Sequence, residues 1–175
     1  GEVDQEAFDR LIASGRVKVM SVAHVSNALG TILPVRRMIE AAHAAGAIAV
    51  IDGAQALPHL AVDVQALDAD FYAMSSHKAY GPTGFGVLYG KLPLLKAMPP
   101  WQGGGDMIET VTFEKTTYAE PPAKFEAGTP HIVGAIGFAA VIVFMALAYG
   151  FFGLMATGDH HREHHLAIAQ GRPSH

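Results

Sequence analysis

One lysine of this chain, Lys78, lies between polar side chains and a turn-rich run in the stretch SSHKAYGPTGFG, residues 75–86. Ser75, Ser76 and His77 precede it and offer hydroxyl and imidazole groups that bind anions. A lysine amine removed from water has a lowered pKa and becomes a nucleophile toward a carbonyl. Lys78 is therefore a candidate for a phosphate contact, an ion pair with a carboxylate or a covalent bond to a carbonyl. The same sequence is also compatible with an ordinary surface lysine that has no functional role.

A second polar group, DGAQ at residues 52–55, follows a short apolar run. Asp52 can hold a pyridine nitrogen protonated, and Gln55 can donate a hydrogen bond to a neighbouring phenolic oxygen. Pyridoxal 5'-phosphate needs such partners, because its ring accepts electrons well only while its nitrogen is cationic. Together with Lys78 these residues point to that cofactor, whereas Asp52 alone fits a turn or a helix N-cap.

The glycines after Lys78 do not form a nucleotide-binding motif. Gly81, Gly84 and Gly86 give G-x-x-G-x-G, which is not the order of the dinucleotide fingerprint. In a P-loop the lysine follows the glycines, whereas here it precedes them. We expect this run to turn the chain between two strands, with room for the backbone to approach a ligand closely.

The elements that must position these residues alternate between strands and a helix. Short apolar or β-branched runs predict strands over 17–25, 47–51, 70–76 and 85–90. Between the first two, Pro34 begins a predicted helix with apolar residues at helical spacing, and Gly46 ends it. This order predicts an α/β fold with a mostly parallel sheet flanked by helices. Ligands gather at the carboxyl ends of such strands, where Asn27, Asp52 and residues 75–78 fall.

Composition restricts the other classes of function. Of 175 residues, 50% are hydrophobic and 16% charged, with a formal net charge of -4, so we expect no basic face for nucleic acid. The absence of cysteine excludes disulfides, thiolate metal sites and thiol catalysis by these residues. The sequence opens without Met or a signal-peptide pattern, which predicts a cytoplasmic location and a piece of a larger protein.

Four ordered stretches carry a resemblance to a known family: HVSNALGTILP, the run from VIDGAQ to VLYG, PPWQGGGDMI and FEAGTP. They resemble the middle of class V aminotransferase-type enzymes, and most closely the SUF-type cysteine desulfurases, over residues 1–140. The resemblance implies the large domain of a fold-type I pyridoxal phosphate enzyme, incomplete at both ends. It also implies a homodimer that takes sulfur from L-cysteine or a related amino acid, releases alanine and feeds iron–sulfur cluster assembly through a sulfur-acceptor protein.

The resemblance assigns roles around the cofactor ring. Lys78 resembles the lysine that bonds to the cofactor and then moves the α-proton of the substrate. Asp52 resembles the carboxylate that faces the pyridine nitrogen, and Gln55 resembles the glutamine beside the ring hydroxyl. Asn27 matches an asparagine that faces both cofactor and substrate.

Further roles concern the cofactor phosphate. Ser75 and His77 match phosphate ligands, whereas Ser76 stands where the family commonly has glycine. Thr129 matches a threonine that reaches the cofactor phosphate of the neighbouring subunit. The glycines at 103–105 resemble part of the same intersubunit region.

The departures from the family concern both flanks. An upstream phosphate-binding turn and a ring-stacking histidine have no counterpart here, nor do a downstream sulfur-accepting cysteine and a substrate-binding arginine. Without cysteine, these residues cannot form the persulfide. The alternatives are a fragment of a desulfurase, a degenerate or inert copy, and another class V aminotransferase or lyase. The central motifs favour the fragment.

The last segment, 141–175, is predicted to be a divergent apolar and His-rich tail after the partial cofactor-binding domain of 1–140. Every residue from Ile132 to Gly158 is uncharged, and about 20 apolar residues span a bilayer. The alternatives are therefore membrane association through 132–158 and a packed helix like the one after FEAGTP in the family. Histidine pairs at i, i+4 follow and suit zinc or nickel, although a solvated helix is the simpler interpretation and no metal site is predicted. The pairs are His160 with His164 and His161 with His165.

Overall fold

The computed structural model describes residues 1–148 and residue 150. Its helices are α1 (Gln5–Ala13), α2 (Val35–Ala44), α3 (Leu92–Ala97) and α4, which covers 132–148. Its strands are β1 (Val19–Ala23), β2 (Ile48–Asp52), β3 (Phe71–Ser75), β4 (Gly86–Gly90), β5 (Ile108–Val111) and β6 (Thr116–Tyr118). Short 3-10 turns cover Ser76–Ala79 and Ala123–Phe125.

The main sheet has the strand order β1-β2-β3-β4. β1, β2 and β3 are parallel, and β4 pairs with β3 in the antiparallel direction. The predicted α/β fold with a mostly parallel sheet is therefore confirmed, and the four predicted strands are present with ends shifted by a residue or two. The pairing aligns Ala23 with Asp52 and Asp52 with Ala73, so β1, β2 and β3 present their carboxyl ends at one edge.

Helix α2 forms because its apolar residues recur on one face. Val35, Met38, Ile39 and Ala42 are buried and pack with side chains of β1, β2 and β3 in one core. Val35, Met38 and Ile39 each contribute about 1.5–3 kcal/mol when they are removed from water. The helix begins one residue after the predicted Pro34, which takes the N-cap position, and Gly46 with φ +71° follows its end.

An ion-pair network ties the opposite edge of the sheet together. The Asp70 carboxylate accepts hydrogen bonds from Ala49 N–H (2.8 Å) in β2 and lies 2.9 Å from His43 Nε2 in α2. Its other oxygen lies 2.8 Å from Lys91 Nζ, directly after β4. Lys91 Nζ also lies 2.6 Å from the exposed carboxylate of Asp68. This network joins one helix and three strands at the end of the sheet remote from the candidate residues.

Helix α4 is anchored by Phe138, which is 6% exposed and packs against Phe85 with ring centroids 6.0 Å apart. Phe144 and Leu147 on the same helix are largely exposed. Among residues 1–148 and 150, no helix combines the length and hydropathy that crossing a bilayer requires. The rest of the predicted membrane segment and all of the paired histidines lie outside the described residues.

Candidate functional site

Asp52 is the last residue of β2 and is held on both sides by neighbouring chain segments. Its backbone C=O accepts a hydrogen bond from His24 N–H at 2.8 Å, and the next N–H, of Gly53, donates to Ala73 C=O at 2.9 Å. Its side-chain Oδ1 accepts from Ala54 N–H at 2.9 Å. Within the described part of the chain no lysine, arginine or histidine pairs with this carboxylate. Asp52 therefore presents an exposed negative charge at the carboxyl edge of the sheet.

Gly53 is required because a tyrosine ring lies directly beneath it. A Cβ atom at this position would be 1.8 Å from Cε1 of Tyr72, which is fully buried. The Tyr72 hydroxyl lies 2.9 Å from His24 Nδ1. Burial, and then the charge of Asp52, raise the pKa of Tyr72 to about 12, while burial lowers the pKa of His24. Sequence reasoning missed this pair, for which the glycine directly after Asp52 was the available signal.

Asn27 and Gln55 come together although they follow different strands. Gln55 Nε2 donates a hydrogen bond to Asn27 Oδ1. Both side chains line a cleft of ≈ 350 Å³ together with Ser26 and His59. The loop that carries Asn27 is closed by the hydrogen bond from Gly30 N–H to Ser26 C=O at 3.0 Å. Two of the predicted site residues thus form one polar contact beside the end of β2.

Lys78 lies on the 3-10 turn Ser76–Ala79 that follows β3 directly. Tyr80, with φ +63°, ends this turn in the left-handed region. Ser75 Oγ and His77 Nδ1 are 3.1 Å apart, so the two predicted phosphate ligands lie side by side. Lys78 itself is half-buried, and no carboxylate of residues 1–148 pairs with its amine. The ion-pair alternative for Lys78 therefore has no partner in this part of the chain.

The glycines after Lys78 turn the chain between the antiparallel strands β3 and β4, as predicted. Gly84 has φ +72°, which favours glycine. Gly81 leaves room for Ser76, because a Cβ atom at Gly81 would be 2.3 Å from Ser76 Oγ. Ser76 is fully buried, and its hydroxyl has no hydrogen-bond partner among the described residues. Ser76 therefore fits sterically, but on burial its hydroxyl loses the hydrogen bonds that water would make.

Thr129 lies in a loop beside the start of β4, whose first residue, Gly86, pairs with Ser75. It is exposed and lines a cleft of ≈ 570 Å³ that also includes Phe85 and Gly86. The preceding residue, Gly128, donates its N–H to Gly105 C=O at 2.9 Å. The loop with Thr129 and the 103–105 glycines are thus neighbours, whereas no hydrogen bond of residues 1–148 joins Thr129 to the carboxyl edge.

The carboxyl edge consequently combines an amine, a carboxylate, a hydroxyl–imidazole pair and an amide pair. These groups complement a ligand that carries an anionic phosphate and a cationic ring nitrogen, since each charge would meet an opposite one. Among the residues described, no three metal-ligating side chains cluster together. The donor set therefore suits an organic phosphate ligand.

Comparisons with known proteins agree with this chemistry. A probable cysteine desulfurase from Vibrio cholerae is 56% identical over 142 residues, which cover 81% of this chain and 35% of the relative. A crystal structure of a cysteine desulfurase from Escherichia coli aligns with TM-score 0.78 and 46% identity, covering 82% of this chain and 36% of that one. The apo structure of a cysteine desulfurase from Thermococcus onnurineus aligns with TM-score 0.78 and 43% identity, covering 83% and 36%. The chain thus spans about a third of the length of these proteins.

A sequence model described as aminotransferase class-V matches residues 1–168. This match extends past residue 140, and the division into a 1–140 domain and a 141–175 tail stays a prediction. The SUF subtype also stays a prediction, whereas the resemblance to class V enzymes and cysteine desulfurases is confirmed. Since the matched region includes nearly all of the sequence, the chain belongs to the aminotransferase class-V family.

Proposed function

We propose that this chain carries the cofactor-binding part of a pyridoxal 5'-phosphate-dependent cysteine desulfurase. The observation that carries the proposal is that two opposite charges lie at the ends of neighbouring strands and that neither forms an ion pair with another described side chain. The carboxylate of Asp52 and the amine of Lys78 follow neighbouring strands, and neither is neutralised by another side chain of residues 1–148. A ligand with a cationic ring nitrogen and an electrophilic carbonyl would satisfy both.

The chemistry of the donor set fits this cofactor. The side chains of Ser75 and His77 are adjacent, and each can donate a hydrogen bond to a phosphate oxygen in place of their mutual contact. The amide of Gln55 lies beside the Asp52 strand end and is available to the ring hydroxyl, with Asn27 holding its orientation. When bound, the cofactor supplies an electron sink for bonds broken at the α-carbon of an amino acid.

The side chains of this chain would then perform separate tasks. Asp52 retains a proton on the ring nitrogen by its negative charge. Lys78 would anchor the cofactor and move the proton at the substrate α-carbon, because a primary amine can bond to a carbonyl carbon and act as a base. Tyr72 stays protonated at neutral pH and adds no second negative charge near Asp52.

Desulfuration of L-cysteine breaks its Cβ–S bond, leaves alanine and passes the sulfur to a thiol as a persulfide. These 175 residues contain no cysteine, so the thiol must belong to another part of the parent protein or to an acceptor protein. The cysteine desulfurases found as relatives support this substrate class. We further propose a role in iron–sulfur cluster assembly and a cytoplasmic location for the protein.

A homodimer completes the proposed site. Thr129 is exposed on the β4 side, next to the loop of the 103–105 glycines. In this proposal the exposed Thr129 reaches the cofactor phosphate of the partner subunit, as the resemblance to the family implies.

The test is uptake of pyridoxal 5'-phosphate followed by visible absorption. We expect the wild-type chain to retain a visible band after dialysis, and borohydride reduction followed by peptide mass spectrometry to place a pyridoxyl group on Lys78. Lys78→Ala should lose the band, whereas the control Lys18→Ala, which changes an exposed lysine far from the edge, should retain it. Absence of the band in the wild type, or an unchanged band in Lys78→Ala, would refute the proposal.

A further inference from the structure

A side-chain pair crosses the sheet beneath the end of β2. His24 follows β1 and Tyr72 belongs to β3, so β2 lies between their backbones. Their side chains nevertheless meet, with 2.9 Å between Nδ1 and the phenolic oxygen and with the ring planes at 87°. The two residues therefore bridge three strands at the carboxyl edge.

The turn that begins at Asp52 rests on this bridge. A Cβ atom at Gly53 would be 1.8 Å from Tyr72 Cε1 and 2.5 Å from its hydroxyl oxygen, so the ring and the Gly53 backbone are in direct contact. On the other side, His24 N–H donates to Asp52 C=O at 2.8 Å. The Tyr72 ring thus packs against the backbone of the turn, and the His24 N–H holds the turn through a backbone hydrogen bond.

We propose that His24 and Tyr72 are positioning residues for Asp52, and that their bridge fixes the turn from which its carboxylate meets the ring nitrogen of the cofactor. This inference rests on the proposed function, because the ring nitrogen belongs to pyridoxal 5'-phosphate. Neither residue touches the cofactor in this proposal. Both act through the backbone of Asp52 and Gly53.

The protonation of the bridge leaves the charge of Asp52 available. The buried phenol stays neutral at physiological pH, since its pKa is raised to about 12, and its hydroxyl can therefore donate to Nδ1. Burial lowers the pKa of His24 and so favours the neutral imidazole, which accepts at Nδ1 when its proton is on Nε2.

The first test needs no cofactor and follows amide hydrogen exchange by NMR. Ala54 N–H donates to Asp52 Oδ1, so its exchange rate reports on the turn. We expect Tyr72→Phe to accelerate exchange at Ala54 by a factor of about 3 to 10, the equivalent of one hydrogen bond, without the same change at Ile51, which lies within β2. The matched control is Tyr89→Phe, which removes a hydroxyl from the residue paired with Tyr72 in β4 and should leave Ala54 unchanged.

Variants of the imidazole separate positioning from a general loss of stability. His24→Asn keeps an acceptor oxygen where Nδ1 lies, so Ala54 N–H should stay protected from exchange. His24→Leu has no acceptor there, so exchange at Ala54 should accelerate. Exchange at Ala54 that stays at the wild-type rate in Tyr72→Phe would overturn the proposal. An equal acceleration at Ile51 would overturn it as well, because that result describes global destabilisation.

The second test measures the dissociation constant of pyridoxal 5'-phosphate by absorbance titration. We expect Tyr72→Phe to bind it about 3- to 10-fold more weakly than wild type, and Tyr89→Phe to bind it equally well. Equal affinity of Tyr72→Phe and wild type would contradict the role toward the cofactor. If the wild type itself takes up no cofactor, the proposed function fails, and that outcome is distinct because exchange at Ala54 still reports on the bridge.

Discussion

The buried carboxylate of Asp70 offers the sharpest test of how the sheet is held together. It is 6% exposed and receives Ala49 N–H, His43 Nε2 and Lys91 Nζ within 2.9 Å. Asp70→Asn keeps the size of the side chain and one acceptor oxygen. It removes the negative charge and turns an NH₂ donor toward groups that are themselves donors.

The expected destabilisation follows from these contacts. Removing one partner of a buried ion pair costs about 3–5 kcal/mol. Lys91 retains the carboxylate of Asp68 at 2.6 Å, and the new amide retains one acceptor, so we expect the free energy of unfolding to fall by about 2–3 kcal/mol.

The effect should depend on pH with a defined sign. Burial raises the pKa of Asp70, but the hydrogen bonds from Ala49, Lys91 and His43 outweigh it, so the net pKa lies below the ordinary value of 3.8. A lowered pKa stabilises the folded state above the unfolded pKa, and this contribution is lost as the pH falls through the folded value. The difference between wild type and Asp70→Asn should therefore be full at neutral pH and shrink below about pH 4.

Urea unfolding followed by circular dichroism measures this difference at neutral and acid pH. The matched control is Asp68→Asn, which removes the same charge from a side chain that contacts the same His43 and Lys91 but is 66% exposed. We expect a much smaller change in that variant because water screens the lost pair. Equal destabilisation by the two variants at neutral pH, or a loss in Asp70→Asn that persists undiminished in acid, would refute the reasoning.

Two further stability predictions use the same measurement. Ser76→Ala removes a buried hydroxyl without a hydrogen-bond partner and should stabilise the chain by about 1 kcal/mol. The control Ser75→Ala removes the contact with His77 and should not stabilise the chain. A loss of stability in Ser76→Ala would show that the Ser76 hydroxyl does have a hydrogen-bond partner. Phe138→Ala should lower the free energy of unfolding by about 3 kcal/mol, because the Phe138 ring is buried against Phe85. Phe144 is 71% exposed, so Phe144→Ala should change this free energy by less than about 0.5 kcal/mol. Equal effects of the two variants would contradict the packing of α4 through Phe138.

Elements governed by local sequence pattern were predictable. The helix after Pro34 has the expected buried face, because the spacing of its apolar residues alone decides which side turns inward. Strand ends moved by a residue or two, since pairing with neighbours decides where a strand stops. Helix α1 was not predicted, although Asp4 caps it by accepting from Ala7 N–H at 2.9 Å. Its single buried residue, Ile12, gave a weak pattern.

The candidate site was predictable as a set of residues but only in part as an arrangement. Ligand sites in α/β folds lie at the carboxyl ends of the parallel strands, and the structure has Asp52 and Lys78 at that end of the sheet. The contact between Asn27 and Gln55, and the orphaned hydroxyl of Ser76, depend on loop geometry that no spacing encodes. Thr129 shares a cleft with Gly86, the β4 residue that pairs with Ser75, a neighbourhood that sequence spacing alone does not reveal.

By itself the sequence determined which groups can do chemistry and which family the chain resembles, because side-chain identity and ordered motifs are properties of the linear chain. Only the tertiary structure decided which of those groups meet. Strand order brought His24 to Tyr72, 48 positions away, and left the charges of Asp52 and Lys78 without protein partners in residues 1–148. The physical reason is that contacts between distant residues follow from how strands pair and helices cover them, and periodicity along the chain carries no record of that choice.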